Sequence, residues 1–151
     1  MMYRDNFIIR SEALEPHLFD GDNIFQFTSV INTVAPLVQG FWVGAGDGLY
    51  WVADLPGLGS DQDTTGWVPF KRYDKKIFKG SKILHGSHIE ALKTNEICAL
   101  FASEDGLLVG MPDGSVNKLT DGRYEFNDSA RATIEYSGES DINKILVGLI
   151  N

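Results

Sequence analysis

The feature that most constrains this chain is a beat. In "SEDGLLVGMPDGSVNKLTDGRYEF" (103–126), Asp-Gly recurs every eight residues, as Asp105-Gly106, Asp113-Gly114 and Asp121-Gly122. A tight two-residue hairpin needs left-handed backbone angles, and Asp-Gly adopts them at little steric cost. Three reversals at this spacing predict that 97–126 folds as a four-stranded antiparallel meander. A further pair, Asp47-Gly48, splits "GFWVGAGDGLYWVAD" into a similar hairpin. The remaining chain reads the same way. Short β-branched and aromatic runs separated by Gly, Asp or Asn predict strands at 3–10, 23–27, 30–35, 40–45, 48–53, 67–73, 82–85, 96–102, 107–111, 115–119, 124–126, 130–136 and 144–149. Helical periodicity is scarce. Pro16 interrupts "SEALEPHLFD", and "SHIEALKTN" (87–95) reads as a short helix or as a strand and a turn.

Composition agrees with such a chain. Glycine is abundant at 16 residues while proline numbers 5, and 43% of residues are hydrophobic, enough to bury a core in 151 residues. We read a single β-rich domain over 1–151, with possible sub-units 1–66 and 67–151. The two Asp-Gly hairpins align: "FWVGAGDGLYWV" (41–52) lies over "LFASEDGLLVG" (100–110), a weak internal repeat. Repeated four-stranded meanders of about 40–50 residues mark propeller blades. The fold class expected is therefore all-β and propeller-like, a partial or irregular propeller of three to four units. The breaker-rich stretch 53–67 reads as a solvent loop, and 137–143 as a smaller polar turn.

The net charge of −8 disfavours general nucleic-acid binding, because an acidic body repels phosphates. The charge is uneven. Lys71, Arg72, Lys75, Lys76, Lys79 and Lys82 gather six of the 13 basic residues in one run. Such a run can be a solvated edge strand whose lysines discourage edge pairing. It can also be a docking face for an acidic neighbour, or a lining that meets nucleic acid. The N-terminus lacks the apolar core of a signal peptide, and no stretch is long enough for a membrane helix. The single Cys98, inside "ICALF", cannot form an internal disulfide and reads as a buried apolar residue.

Two longer stretches carry a resemblance. "FIIRSEALEPHLFDGDNIFQFTSVINTVAPLVQGFWVGAGDGLYWV" (7–52) and "ALFASEDGLLVGMPDGSVNKLTDGRYEF" (99–126) resemble, in matching order, β-propeller-like structural proteins of tailed bacteriophages. In that family a Ser-Glu-Ala/Pro strand end leads to Asp-Gly-Leu/Ile-Tyr-Val, and a Pro-Asp-Gly…Asn-Leu-Thr…Arg-Tyr run precedes a closing strand. The resemblance implies a virion component of the tail or head–tail connector, made in the host cytoplasm. It would contact other virion proteins, assemble as a homo-oligomeric ring, meet nucleic acid only where its basic run lines a tail lumen, and have no catalytic residues and no cofactor.

Other chemistry has bland readings beside it. His85 and His88 of "HGSH" share a face only on a helix, and no third ligand is near for zinc. "DGDN" (Asp20, Asp22, Asn23) and "DQD" (Asp61, Asp63) lack calcium-loop spacing and read as Asx turns. No Gly-x-Ser-x-Gly elbow, phosphate loop or dinucleotide fingerprint occurs; "GAGDG" sits between strands. The aromatics around the first hairpin, Trp42, Trp51 and Trp67, read as core or as a carbohydrate-stacking platform. The expected function is thus a non-enzymatic structural component. The rivals are a carbohydrate-binding or glycan-processing β-domain and a sensor-type propeller fragment.

Overall fold

The structure, a computed structural model, describes residues 1–11, 18, 24–54, 67–120, 123–138 and 144–151. The stretches read as Asx turns at 20–23 and 61–63, the loop residues 55–66, Asp121-Gly122 and the turn residues 139–143 lie outside them. The described chain is all-β. Strands β1 (Met2–Arg4), β2 (Phe7–Ile9) and β3 (Ile24–Gln26) make a three-stranded sheet in that order. Strands β4 (Ile31–Pro36), β5 (Gly40–Ala45), β6 (Gly48–Asp54) and β7 (Trp67–Tyr73) make a four-stranded meander. Strands β8 (Ile77–His85), β9 (Ile97–Ser103), β10 (Gly106–Gly110) and β11 (Val116–Lys118) make another. The hairpin of β12 (Arg131–Ser137) and β13 (Lys144–Ile150) joins this later meander beside β8, so the six-stranded order is β11-β10-β9-β8-β12-β13. Neighbours are antiparallel throughout except β8 and β12, which run parallel where Arg131 meets Lys79.

The chain reverses at Asp47-Gly48, Asp105-Gly106 and Asp113-Gly114, but with different backbone angles from those expected. Gly106 and Gly114 take φ of 102° and 82°, whereas the only described non-glycine residues at positive φ are Asp5 and Lys93. Asp105 and Asp113 therefore keep negative φ and only their glycines cross over, while at Asp47-Gly48 neither residue does. The Gly114 N–H donates to the Met111 carbonyl at 3.1 Å, closing a turn around Pro112-Asp113. This is the arrangement of a type I turn followed by a left-handed residue, which suits Pro then Asp inside the turn and Gly after it.

Three expectations give way here. The run 3–10 is not one strand: Asp5, at φ 52°, and Asn6 turn it into the β1–β2 hairpin. Residues 86–88 form a 3-10 turn, the only helical geometry among the described residues, and 89–95 continue as turn and coil. No strand forms at 124–126. The Phe126 N–H instead caps the β9–β10 turn, donating to the Glu104 carbonyl at 2.8 Å. The region 97–126 thus supplies three strands of its meander, and β8 supplies the fourth from the other side.

Alternation along the strands sorts the core into layers. On β5 and β6, Phe41, Val43 and Val52 pack back onto Ile8, Phe25 and Phe27 of the three-stranded sheet region. Trp42, Leu49 and Trp51, on the opposite face, pack forward onto Ile77, Ala99, Phe101 and Leu108. On β9 and β10, Leu100 and Val109 face forward again, onto Ala132 and Ile134 of β12. β5, β9 and β10 are therefore buried on both faces, apart from Ile97 at the start of β9. Each strand is a near-continuous apolar run because it has a neighbour on each side. The first strands of successive units also meet. Asn32 on β4 donates to the Ile77 carbonyl on β8 at 2.7 Å, and Thr33 donates to the Ser81 hydroxyl at 2.9 Å. β12 approaches β8 at Gly80, where the register of β8 shifts. A Cβ there would lie 2.2 Å from the Ala132 carbonyl oxygen, so only glycine fits this contact.

Candidate functional site

The basic run straddles the passage from β7 to β8, and its charges are distributed among several acids. Lys71 lies 3.6 Å from Asp47 and 3.5 Å from Asp74. Lys75 pairs with Asp105, Lys76 with Asp128 at 2.5 Å, and Lys82 with Glu135 on β12 at 3.1 Å. Arg72 sits over the Phe70 ring at 5.5 Å, and Lys79 is exposed. Four of the six side chains therefore answer acids of the same chain, and they bridge different elements. Exposed pairs of this kind each contribute about 0–1 kcal/mol. Their combined effect is to neutralise much of the run's charge locally.

Two of those acids are the aspartates of the repeated hairpin. Asp105, in the β9–β10 turn, accepts hydrogen bonds from the Tyr73 hydroxyl at 2.8 Å, from Lys118 at 3.2 Å, and from Lys75. Asp47, in the β5–β6 turn, accepts from the Thr28 hydroxyl at 2.6 Å and the Tyr50 hydroxyl at 2.6 Å, with Lys71 beside it. The arrangements correspond. In each, a hydroxyl comes from the junction behind (Thr28 after β3, Tyr73 at the end of β7). In each, a lysine comes from the fourth strand of the same meander (Lys71 on β7, Lys118 on β11). The turn aspartate thus fastens successive sheets at their rims. The hydrogen bonds from Lys75 and Tyr73 hold the Asp105 carboxyl at about 2, against the opposing effect of burial. Burial first, and then the Asp105 hydrogen bond and charge, push Tyr73 up to about 12, with the Ser103 hydroxyl opposing. Burial works against the charge of Asp47, but the Thr28 and Tyr50 hydroxyls and Lys71 outweigh it and leave its carboxyl lowered.

A surface hollow of about 320 Å3 adjoins Asp105, lined also by Lys75, Glu104, Glu125, Phe126, Asn127 and Asp128. Its carboxylates are interrupted by a lysine. Among the described residues no three or more His, Cys, Asp or Glu side chains are gathered as a metal site.

The aromatic platform does not assemble. Trp42 is 0% exposed and Trp51 4%, with ring centroids 4.9 Å apart in the layer between the meanders. The Trp42 indole N–H donates to the Met111 carbonyl at 3.1 Å, locking β5 to the turn after β10. Trp67 is half-buried, stacked on Phe41 at 5.9 Å, with the Arg10 guanidinium carbon 4.3 Å from its ring centroid. The sequence places these three together, and interdigitation of the layers turns two of them inward. His85 and His88 come to 6.2 Å between ring centroids, and His88 stacks flat on Tyr136 at 4.5 Å. No third metal-binding side chain joins them among the described residues. Cys98 is buried, which pushes its thiol up, away from the reactive thiolate.

Sequence reasoning used Asp47 and Asp105 only as turn formers and missed their role as charged fasteners. The available signal was their common place in the internal repeat, with a lysine in each following fourth strand. No family model matches the chain, and no curated protein or solved structure matches it.

Proposed function

We propose that this chain is a non-enzymatic structural component of a tailed-bacteriophage particle, in the tail or head–tail connector, built as an open propeller. The observation that carries the reading is the repeated unit. Two four-stranded meanders follow one another, each starting beside the first strand of the next, and β12 begins a third beside β8 in parallel. First strands lying side by side, with outer strands splayed away, is how blades are set around an axis. The parts of those motifs that lie among the described residues build turns and strands of this scaffold. Asp47-Gly48 and Asp105-Gly106 make the corresponding turns, and the turn at Pro112-Asp113-Gly114 covers Trp51, leaving no room for a Cβ at Gly114. The two turn aspartates, Asp47 and Asp105, are engaged in fastening one sheet to the next. Function then resides in contacts with other virion subunits, several copies acting together.

The test is direct. Mass spectrometry of purified particles from a host that carries this gene is expected to detect the polypeptide at stoichiometric level. Its absence from the particles would sink the virion reading. Retention on a glycan array would instead favour the carbohydrate-binding alternative, through a surface other than Trp42 and Trp51.

A further inference from the structure

We propose that β13 is a self-pairing edge, joining β13 of one copy to β13 of a second, antiparallel about a twofold axis at Val147. Comparison with the other edges of the molecule singles it out. Among the described strands, the edge strand β7 carries Pro69, Lys71 and Arg72, β4 ends in Pro36 and lies against β8, and β1, β3 and β11 are three residues each. Prolines, charges and shortness are the devices that stop an edge from recruiting another strand. β13 lacks them. It is seven residues, "KILVGLI", with one charge at its first position. It pairs with β12 in unbroken register from Arg131–Ile150 to Ser137–Lys144, and no described strand covers its other edge. Leu146 is 58% exposed, Ile150 53% and Leu149 37%.

The occupant is set by the pattern of the strand itself. Antiparallel pairing centred on Val147 places Ile145 opposite the partner's Leu149, and Leu146 opposite the partner's Gly148. A Cβ at Gly148 would meet nothing within 4 Å. That gap lies on the same face as Leu146 and is where the partner's Leu146 side chain comes, large against small. The two copies of Lys144 fall at opposite ends of the pair, so like charges do not face each other. The strand is complementary to itself in this register, and the two six-stranded sheets become one. This contact does not depend on the virion reading.

Light scattering and sedimentation of the full chain are expected to show twice the 16.7 kDa chain mass at high concentration, falling to the single mass on dilution. Amide exchange within β13 should slow as concentration rises. Leu146→Lys should remain at the single mass. Gly148→Leu, which fills the gap, should weaken pairing by about tenfold or more. The exchange Leu146→Gly with Gly148→Leu should restore it, since a leucine again meets a glycine across the axis. Unfolding midpoints of each variant separate lost pairing from lost folding. The proposal is overturned by a single mass at every concentration, by open-ended aggregates, by a doubled mass that survives Leu146→Lys, or by an exchange variant no better than Gly148→Leu alone.

Discussion

Superposing Asp47-Gly48 on Asp105-Gly106 sets Trp42 against Leu100, Trp51 against Val109, and Val52 against Gly110. All six are buried, and in both meanders the first two positions face forward. The β4–β7 meander faces a complete four-stranded sheet and fills the gap with two indoles. The β8–β11 meander faces the β12–β13 hairpin, which approaches closely at Gly80, and places Leu100 and Val109 there beside Phe78 and Met111. Gly110 is the complement of that choice. Its Cβ would lie 2.5 Å from the Trp42 ring, so the β8–β11 meander gives up a side chain where its counterpart keeps Val52. The position of the turn and the strand order are common to both units, while the hand of the turn glycine and the side chains that fill each layer differ.

The comparison can be broken at its strongest point first. Trp51→Ala is expected to destabilise by about 3–5 kcal/mol, and its counterpart Val109→Ala by about 1–3, read as urea midpoints at constant slope. Equal losses would mean that the indole and the valine contribute alike to their layers. Gly110→Val, which makes the β8–β11 meander resemble its counterpart, is expected to cost about 1–3 kcal/mol by overpacking. Trp42→Leu in the same chain should recover part of that loss, giving a coupling of about 0.5 kcal/mol or more in a double-mutant cycle. Additive losses would separate Gly110 from Trp42.

The two turn aspartates offer a finer test. Asp105→Asn is expected to cost about 1–2 kcal/mol and Asp47→Asn less, since Asp105 is met by two lysines and Asp47 by one. The Asp105 carboxyl sits at about 2 in the fold, below the 3.8 of a free aspartate. Its contribution is therefore complete above pH ~4 and is lost as pH falls through ~2. Acid unfolding of Asp105→Asn should be shallower in that window than that of the native chain, and an unchanged profile would remove Asp105 from the fastening. Tyr73 has the opposite sign. With the hydroxyl raised from 10.0 to about 12, its contribution is complete below pH 10 and fades as pH rises toward 12. The smallest effect belongs to Lys79→Ala, within about 0.5 kcal/mol, because the side chain is exposed. A larger loss in thermal unfolding would assign the basic run a structural role beyond its ion pairs.

How much of this could be read from the letters differs by level. Strand existence was legible because β-branched and aromatic runs are punctuated by glycine; the expectation at 67–73 and the observed β7 coincide. The alignment of the two hairpins was legible too, because Asp-Gly-Leu fixes its register. The turn geometry was not: Asp tolerates both hands, and only Pro112 before Asp113 hinted at the right-handed choice. Nor was the absence of a strand at 124–126, where Tyr and Phe favour extension but Phe126 is recruited to cap the β9–β10 turn. The parallel approach of β12 to β8 depends on Gly80, one residue in a lysine-rich run, with no local pattern to announce it. The candidate site was the least legible. Six cations in a row suggest a surface for a partner. Only the fold shows that four of them, Lys71, Lys75, Lys76 and Lys82, meet acids of their own chain, most of them distant in sequence.

Each meander is built from one uninterrupted stretch of polypeptide, and the seam between β8 and β12 is the place where the order of the chain is broken. Hairpins close over short loops and gain their partners at once, whereas this seam must wait for two separate pieces to exist. The protein should therefore assemble in the order in which it is written, with the seam last. Pulse-labelled exchange during refolding would show β9 and β10 amides protected before those of β12, and the reverse order would refute it.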